Sequence, residues 1–125
     1  MRRSEVTPEL IELSKRAKEL GFPQDVEEGD WVKPYEYIVL FNPMSMCIEG
    51  EIIRYANGLI CDNWFLILSF SRCLEWLQKE KYGVNLAFNT FIWDQYIFFV
   101  GTQSSRAKIH HEAIAKAVVK ILEKN

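Results

Sequence analysis

The stretch from residue 69 to 124 constrains the fold most, because the period of its apolar pattern changes twice. Phe70, Cys73, Leu74 and Leu77 recur at helical spacing, with Arg72, Glu75, Gln78 and Lys79 turned outward. From Val84 to Val100 the pattern becomes that of strands: Val84, Leu86 and Phe88 face one side, Asn85 and Asn89 the other, and Tyr96 to Val100 is apolar on both faces. The helical period returns at Ala107, His110, Ala113, Ile114, Ala117, Val118, Ile121 and Leu122. Periods of about 3.6 and 2 belong to different backbones, so an α-β-β-α unit is expected. Ser69 or Ser71 is placed to cap its first helix, Gly83 to end it, Trp93-Asp94-Gln95 to form the hairpin tip, and Ser104 or Ser105 to cap the last helix.

Upstream, a helix is expected over residues 8 to 20. Thr7 suits the N-cap, Pro8 the first helical position and Glu9 the positive end of the helix dipole. Val6 and Ile11 form a hydrophobic staple, and Leu10, Leu13, Ala17 and Leu20 the buried stripe. Gly21 suits a left-handed C-terminal position, Phe22 folds back on Ala17, and Pro23 blocks continuation. Asp25, Glu27, Glu28 and Asp30 miss the spacing of a calcium loop and read as a solvated acidic loop. Tyr35 to Phe41 reads as a strand, Ile48 to Tyr55 as its partner, and Asn57-Gly58 as a tight turn. The fold class is thus α+β: a mostly antiparallel sheet of four or five strands with three packed helices, in the order α-β-β-α-β-β-α.

With 125 residues, 49% hydrophobic and 26% charged, the chain suits one globular domain spanning 1–125. A net charge of -2 supplies no overall positive field for phosphate backbones, so nucleic-acid binding would need a local basic patch. Cys47, Cys61 and Cys73 are odd in number and widely spaced, and read as reduced, mostly buried thiols. No apolar run, Trp64 to Leu68 included, exceeds five residues, far short of the roughly 20 of a membrane span, and Met1-Arg2-Arg3 precedes a capped helix where a signal peptide would carry an apolar run. A cytoplasmic protein without membrane contact is expected.

Three functional readings compete. His110-His111 would centre a small enzyme site; adjacent helical positions diverge by about 100°, so the two are not expected to share one ion, and the bland reading is a core histidine. Lys116, Lys120 and Lys124, extended by Arg106 and Lys108, draw a basic line that would contact nucleic acid, or else form a solvated helix face. Trp31, Trp64, Trp76 and Trp93 would supply a protein interface or close the ends of the core. The chain contains no phosphate-binding glycine loop, Gly-x-Ser-x-Gly elbow or His-Glu-x-x-His motif. No catalytic residue, metal or cofactor is assigned.

The phrases Glu19-Leu20-Gly21-Phe22-Pro23-Gln24, Gly29-Asp30-Trp31 and Ser71-Arg72-Cys73-Leu74-Glu75-Trp76-Leu77, followed by an Ala-spaced closing helix, resemble small uncharacterised bacteriophage and prophage proteins of the α/β/α-sandwich type. Residues 64 to 68 depart from that pattern, which more usually starts a helix with proline there. The resemblance implies no active-site residue. The function expected is that of a phage or prophage accessory protein that acts by binding a protein partner or its own copy. The segment Ser104-Ser105-Arg106-Ala107-Lys108 with its Ala-rich helix also resembles the end of double-stranded-RNA-binding domains, whose basic helix start meets phosphates. That fold has three strands between its helices where two are read here, and Glu112 interrupts the basic line.

Overall fold

The structure, a computed structural model, describes residues 1–27, 29–33, 38–40, 46–48, 51–53, 64–80, 87–92, 95–100 and 103–124. A 3-10 turn, Arg3–Glu5, leads into α1, Pro8–Glu19. Short strands follow at Trp31–Lys33 (β1), Val39–Leu40 (β2), Met46–Ile48 (β3), Glu51–Ile53 (β4) and Phe65–Leu66 (β5). Helix α2, Phe70–Lys79, precedes β6, Ala87–Ile92, β7, Gln95–Val100, and β8, Gln103–Ala107; α3, His110–Lys124, closes the order.

Both ends of α1 form as their residues require. The Thr7 hydroxyl accepts from the Leu10 N–H at 3.1 Å. At the other end the Phe22 N–H donates to the Ala17 carbonyl and the Gly21 N–H to the Lys18 carbonyl, with Gly21 at φ 100°. This is the paired Schellman closure, and its positive φ is why glycine stands there.

The class is α+β, but a single sheet of four or five strands is not what forms. Among the described residues the strands make three small antiparallel sheets, ordered β2-β1-β5, β3-β4 and β6-β7-β8. Val39–Leu40 pairs with Val32 and Trp31, directly after the acidic loop, whereas residues 46–48 pair with 51–53 in a hairpin of their own. Tyr35, Asn57-Gly58, Cys61, Gly83 and Trp93 lie outside the described residues.

The largest correction concerns Ser104 and Ser105. They belong to β8, a third strand after β7, rather than to a helix cap, and the Ile109 carbonyl accepts from the Glu112 and Ala113 N–H groups of α3. In β8 the apolar alternation is hidden because its inward residues are small. Ser105 and Ala107 are buried while Arg106 is exposed, which lets α3 approach closely.

Helix α3 sits at the centre. Nine of its residues are buried, His111 to Ala115, Ala117 to Val119 and Ile121, because α1, α2 and the sheet cover it from different sides. One buried cluster joins Leu10 and Ala17 of α1, Cys73 and Leu77 of α2, Phe98 and Val100 of β7, and Ile114 and Val118 of α3. The run Trp64 to Leu68 passes through the same cluster, where each large side chain contributes roughly 1.5–3 kcal/mol. Ser14, absent from the predicted stripe, is completely buried in α1 because its hydroxyl donates to the Leu10 carbonyl at 2.7 Å and accepts from the Leu68 N–H at 2.9 Å. No helix among the described residues is long and apolar enough to cross a membrane.

Candidate functional site

A polar cluster among the described residues lies where the 3-10 turn before α1 meets the first turns of α2 and α3. His111 is buried, and its Nδ1 accepts the Phe70 backbone N–H at 2.8 Å. A backbone N–H can only donate, so Nδ1 carries no proton and the ring's proton sits on Nε2. That nitrogen lies 3.2 Å from Glu5 Oε2, to which it donates. Glu5 Oε1 accepts from the Arg2 N–H at 2.7 Å. The Ser69 hydroxyl accepts from the Arg72 N–H, so Ser69 and His111 together satisfy two of the unpaired N–H groups that open α2.

The electrostatics follow from these contacts. The Arg2 N–H, then the nearby histidines, hold the Glu5 carboxyl below its ordinary value, against a smaller opposing effect of burial. Burial, then the neighbouring His110, pushes the His111 imidazole below its ordinary value, and the Glu5 charge only partly offsets this. Beside them the Thr7 hydroxyl donates to buried Glu112, which sits in the first turn of α3 where the dipole favours an anion. The residue expected to interrupt a basic surface thus belongs to an interior contact.

The two histidines converge more than helical geometry alone predicts. Their ring centroids are 3.9 Å apart, and His110 packs against Phe70 and Tyr96 at 5.3 and 5.6 Å. His111, not His110, is the more buried of the pair. One ligand atom from each of Glu5, His110 and His111 lies within 4.8 Å of the others, a spacing that fits a metal ion. The proton count does not fit. A metal on Nε2 of neutral His111 would move the proton to Nδ1, where it would face the Phe70 N–H. The cluster is therefore a structural tie between three helix starts. Sequence reading missed Glu5 altogether; the Arg2–Glu5 spacing signals their local bond, but nothing local signals its meeting with a residue 106 positions away.

The basic line is organised around the sheet edge. Lys116 Nζ donates to the Arg106 carbonyl at 2.9 Å, and Lys120 Nζ to the Ser104 carbonyl at 2.8 Å. Four helical residues rise about 6 Å and two strand residues about 6.6 Å, so lysines at i and i+4 match alternate carbonyls of a strand packed antiparallel to the helix. Lys116 also pairs with Glu9 at 2.9 Å. Arg106, Lys108 and Lys124 are exposed.

With the register, these two bonds point to one orientation for the strands of that sheet. If the carbonyls of Ser104 and Arg106 point away from β7, Ser105 points toward it and bonds its register partner Phe98. Ile97 and Phe99 then face β6, where their partners are Thr90 and Phe88. The N–H and C=O groups of Ala87, Asn89 and Phe91 are left pointing outward, on an edge where β6 pairs with β7 alone among the described strands. One edge of the sheet is held by lysines, and the other carries no neighbouring strand among the described residues.

The tryptophans divide. Trp64 is 2% exposed and belongs to the core, which removes it from any interface. Trp31 is half-buried and donates from Nε1 to the Met1 carbonyl at 2.9 Å. Trp76 is half-buried against Phe22, with ring centroids 5.6 Å apart, at a shallow groove that Arg72 also lines. Arg72 is not turned outward: its side chain is 15% exposed, donates to the Asp25 carbonyl and pairs with Asp30 at 3.7 Å and Glu27 at 3.8 Å. It clasps the acidic loop onto α2. Burial pushes the Asp30 carboxyl above its ordinary value, outweighing the Glu27 N–H and the Arg72 charge.

No protein-family model, curated protein or solved structure matches this chain.

Proposed function

We propose that the chain is a binding module that accepts an extended strand from a protein partner along the open edge of β6. The observation that carries this is the unequal treatment of the two edges of one sheet. An unpaired edge offers a row of donors and acceptors, and proteins commonly block such edges with lysine. Lys116 and Lys120 do so on β8. On β6, six residues long against two or three in β1 to β5, there is no charged residue. Main-chain bonds to an added strand would supply affinity there. An accessory role of the kind expected for phage and prophage proteins would be served by such a surface.

The test is selection of displayed random peptides against the chain, with Asn89→Pro as counter-selection. Proline there deletes an outward N–H and leaves the β6–β7 bonds intact. Enrichment of uncharged extended peptides that do not bind the variant is expected; peptides that bind both proteins equally would overturn the reading.

A second reading, nucleic-acid binding, is favoured by one observation: β8 makes the order from α2 to α3 α-β-β-β-α, which is the order of double-stranded-RNA-binding domains. Against it, Glu5, Thr7 and Glu112 occupy the start of α3, where such domains meet phosphate. Exposed Arg106 and Lys108 would carry the binding. Retention on duplex RNA at low salt, lost on Arg106→Glu with Lys108→Glu, would support it, and no retention would end it.

A further inference from the structure

We infer that the strand received by β6 is β6 of a second copy, so that the chain forms a two-fold dimer with a continuous six-stranded sheet. This rests on the open-edge reading above and goes further by naming the occupant.

Three features of the edge point to a second copy. The outward groups belong to Ala87, Asn89 and Phe91, which are symmetric about Asn89. Two such strands placed antiparallel, with Asn89 opposite its own copy, match Ala87 with Phe91 at each end, and each facing pair exchanges two main-chain bonds. That gives six bonds with no unmatched outward group. Charge is the second feature. From Val84 to Trp93 there is no Asp, Glu, Lys or Arg, so self-pairing brings no like charges opposite one another. A strand evolved for a foreign partner is free to carry charge, whereas a self-paired edge is penalised for it at every position near the axis.

The third feature is closure. A two-fold pairing of β6 edges leaves the two β8 edges at the outside of the joined sheet. Those are the edges held by Lys116 and Lys120. Growth therefore stops at two chains, because the remaining edges have their outward carbonyls at Ser104 and Arg106 already bonded.

The experiment is sedimentation equilibrium over a range of concentrations, together with residue-resolved amide exchange at Ala87, Asn89 and Phe91. A dimer in which these three amides are protected is expected. Asn89→Pro, which removes two of the six bonds, should raise the dimer dissociation constant by about 30-fold. Asn89→Lys sets two ammonium groups opposite each other at the axis and should weaken the dimer at low salt, with partial recovery as salt rises. Circular dichroism of both variants checks folding, and the lysine variant keeps the test sound where proline disturbs the strand. A monomer with unprotected amides at these positions would overturn self-pairing and leave the partner-strand reading standing. A monomer with the same amides protected would show the edge covered within the chain and overturn both. A dimer unaffected by either variant would place the contact elsewhere and overturn the inference.

Discussion

The imidazole of His111 and the backbone N–H of Phe70, 41 residues apart, form a 2.8 Å hydrogen bond that joins the first turns of α3 and α2. Because this bond occupies Nδ1, the ring must stay neutral, with its proton on Nε2 facing Glu5. Protonation of the ring at Nδ1 would break the contact.

This makes stability depend on acid in a defined window. The folded imidazole holds its proton less readily than the ordinary value of 6.5, so below that pH the unfolded chain binds more protons and stability falls. Glu5 adds to the effect at lower pH: its folded value lies under 4.5, so its contribution is complete above 4.5 and lost as pH falls through the folded value. Urea denaturation from pH 8 to pH 5 should show this decline. In His111→Asn, which keeps an acceptor for the Phe70 N–H and cannot titrate, it should flatten. An unchanged slope would assign the titration to another group.

Two buried serines should respond in opposite directions. Ser14 makes two hydrogen bonds, and Ser14→Ala strands the Leu68 N–H, at a cost of about 1–3 kcal/mol by denaturant titration. The Ser105 hydroxyl is buried with no partner among the described residues, so Ser105→Ala should raise stability by about 1 kcal/mol. Loss of stability in the second variant would reveal a bond from that hydroxyl.

Removing the lysine caps should open the second edge of the sheet. Lys116→Met with Lys120→Met leaves the Arg106 and Ser104 carbonyls free, and light scattering should then detect species larger than those of the unaltered chain. Identical scattering would mean that the lysines do not guard the edge.

Burial pushes the Cys73 thiol far above its ordinary value, so the reactive thiolate is suppressed in the folded chain. With Cys47→Ser and Cys61→Ser in place, a thiol reagent should modify Cys73 only at the rate of unfolding. Rapid modification in native buffer would contradict its complete burial.

Local signals read well where local physics governs. Thr7, Pro8 and Gly21 bound α1 as their cap preferences require, and Ser69 caps α2. Signals failed where the deciding contact was distant. Ser104-Ser105-Arg106 has the composition of a helix cap, and only the proximity of α3 explains why small residues line β8. Arg72 looks solvent-facing on a helical wheel, yet an acidic loop more than forty residues earlier folds over it, with its guanidinium donating to a carbonyl 47 residues away. Trp64 looks like an interface residue and is core.

The sequence by itself determined the helices and the period of the β6–β7 hairpin, because capping bonds and side-chain periodicity act within a few residues along the chain. The tertiary structure decided the division into three small sheets, the pairing of Glu5 with His111, and the assignment of Lys116 and Lys120 to a strand edge. Those outcomes depend on which backbone groups are left unpaired once the elements pack. A buried or edge N–H or C=O recruits whatever side chain lies within reach, and reach is a property of the folded chain alone.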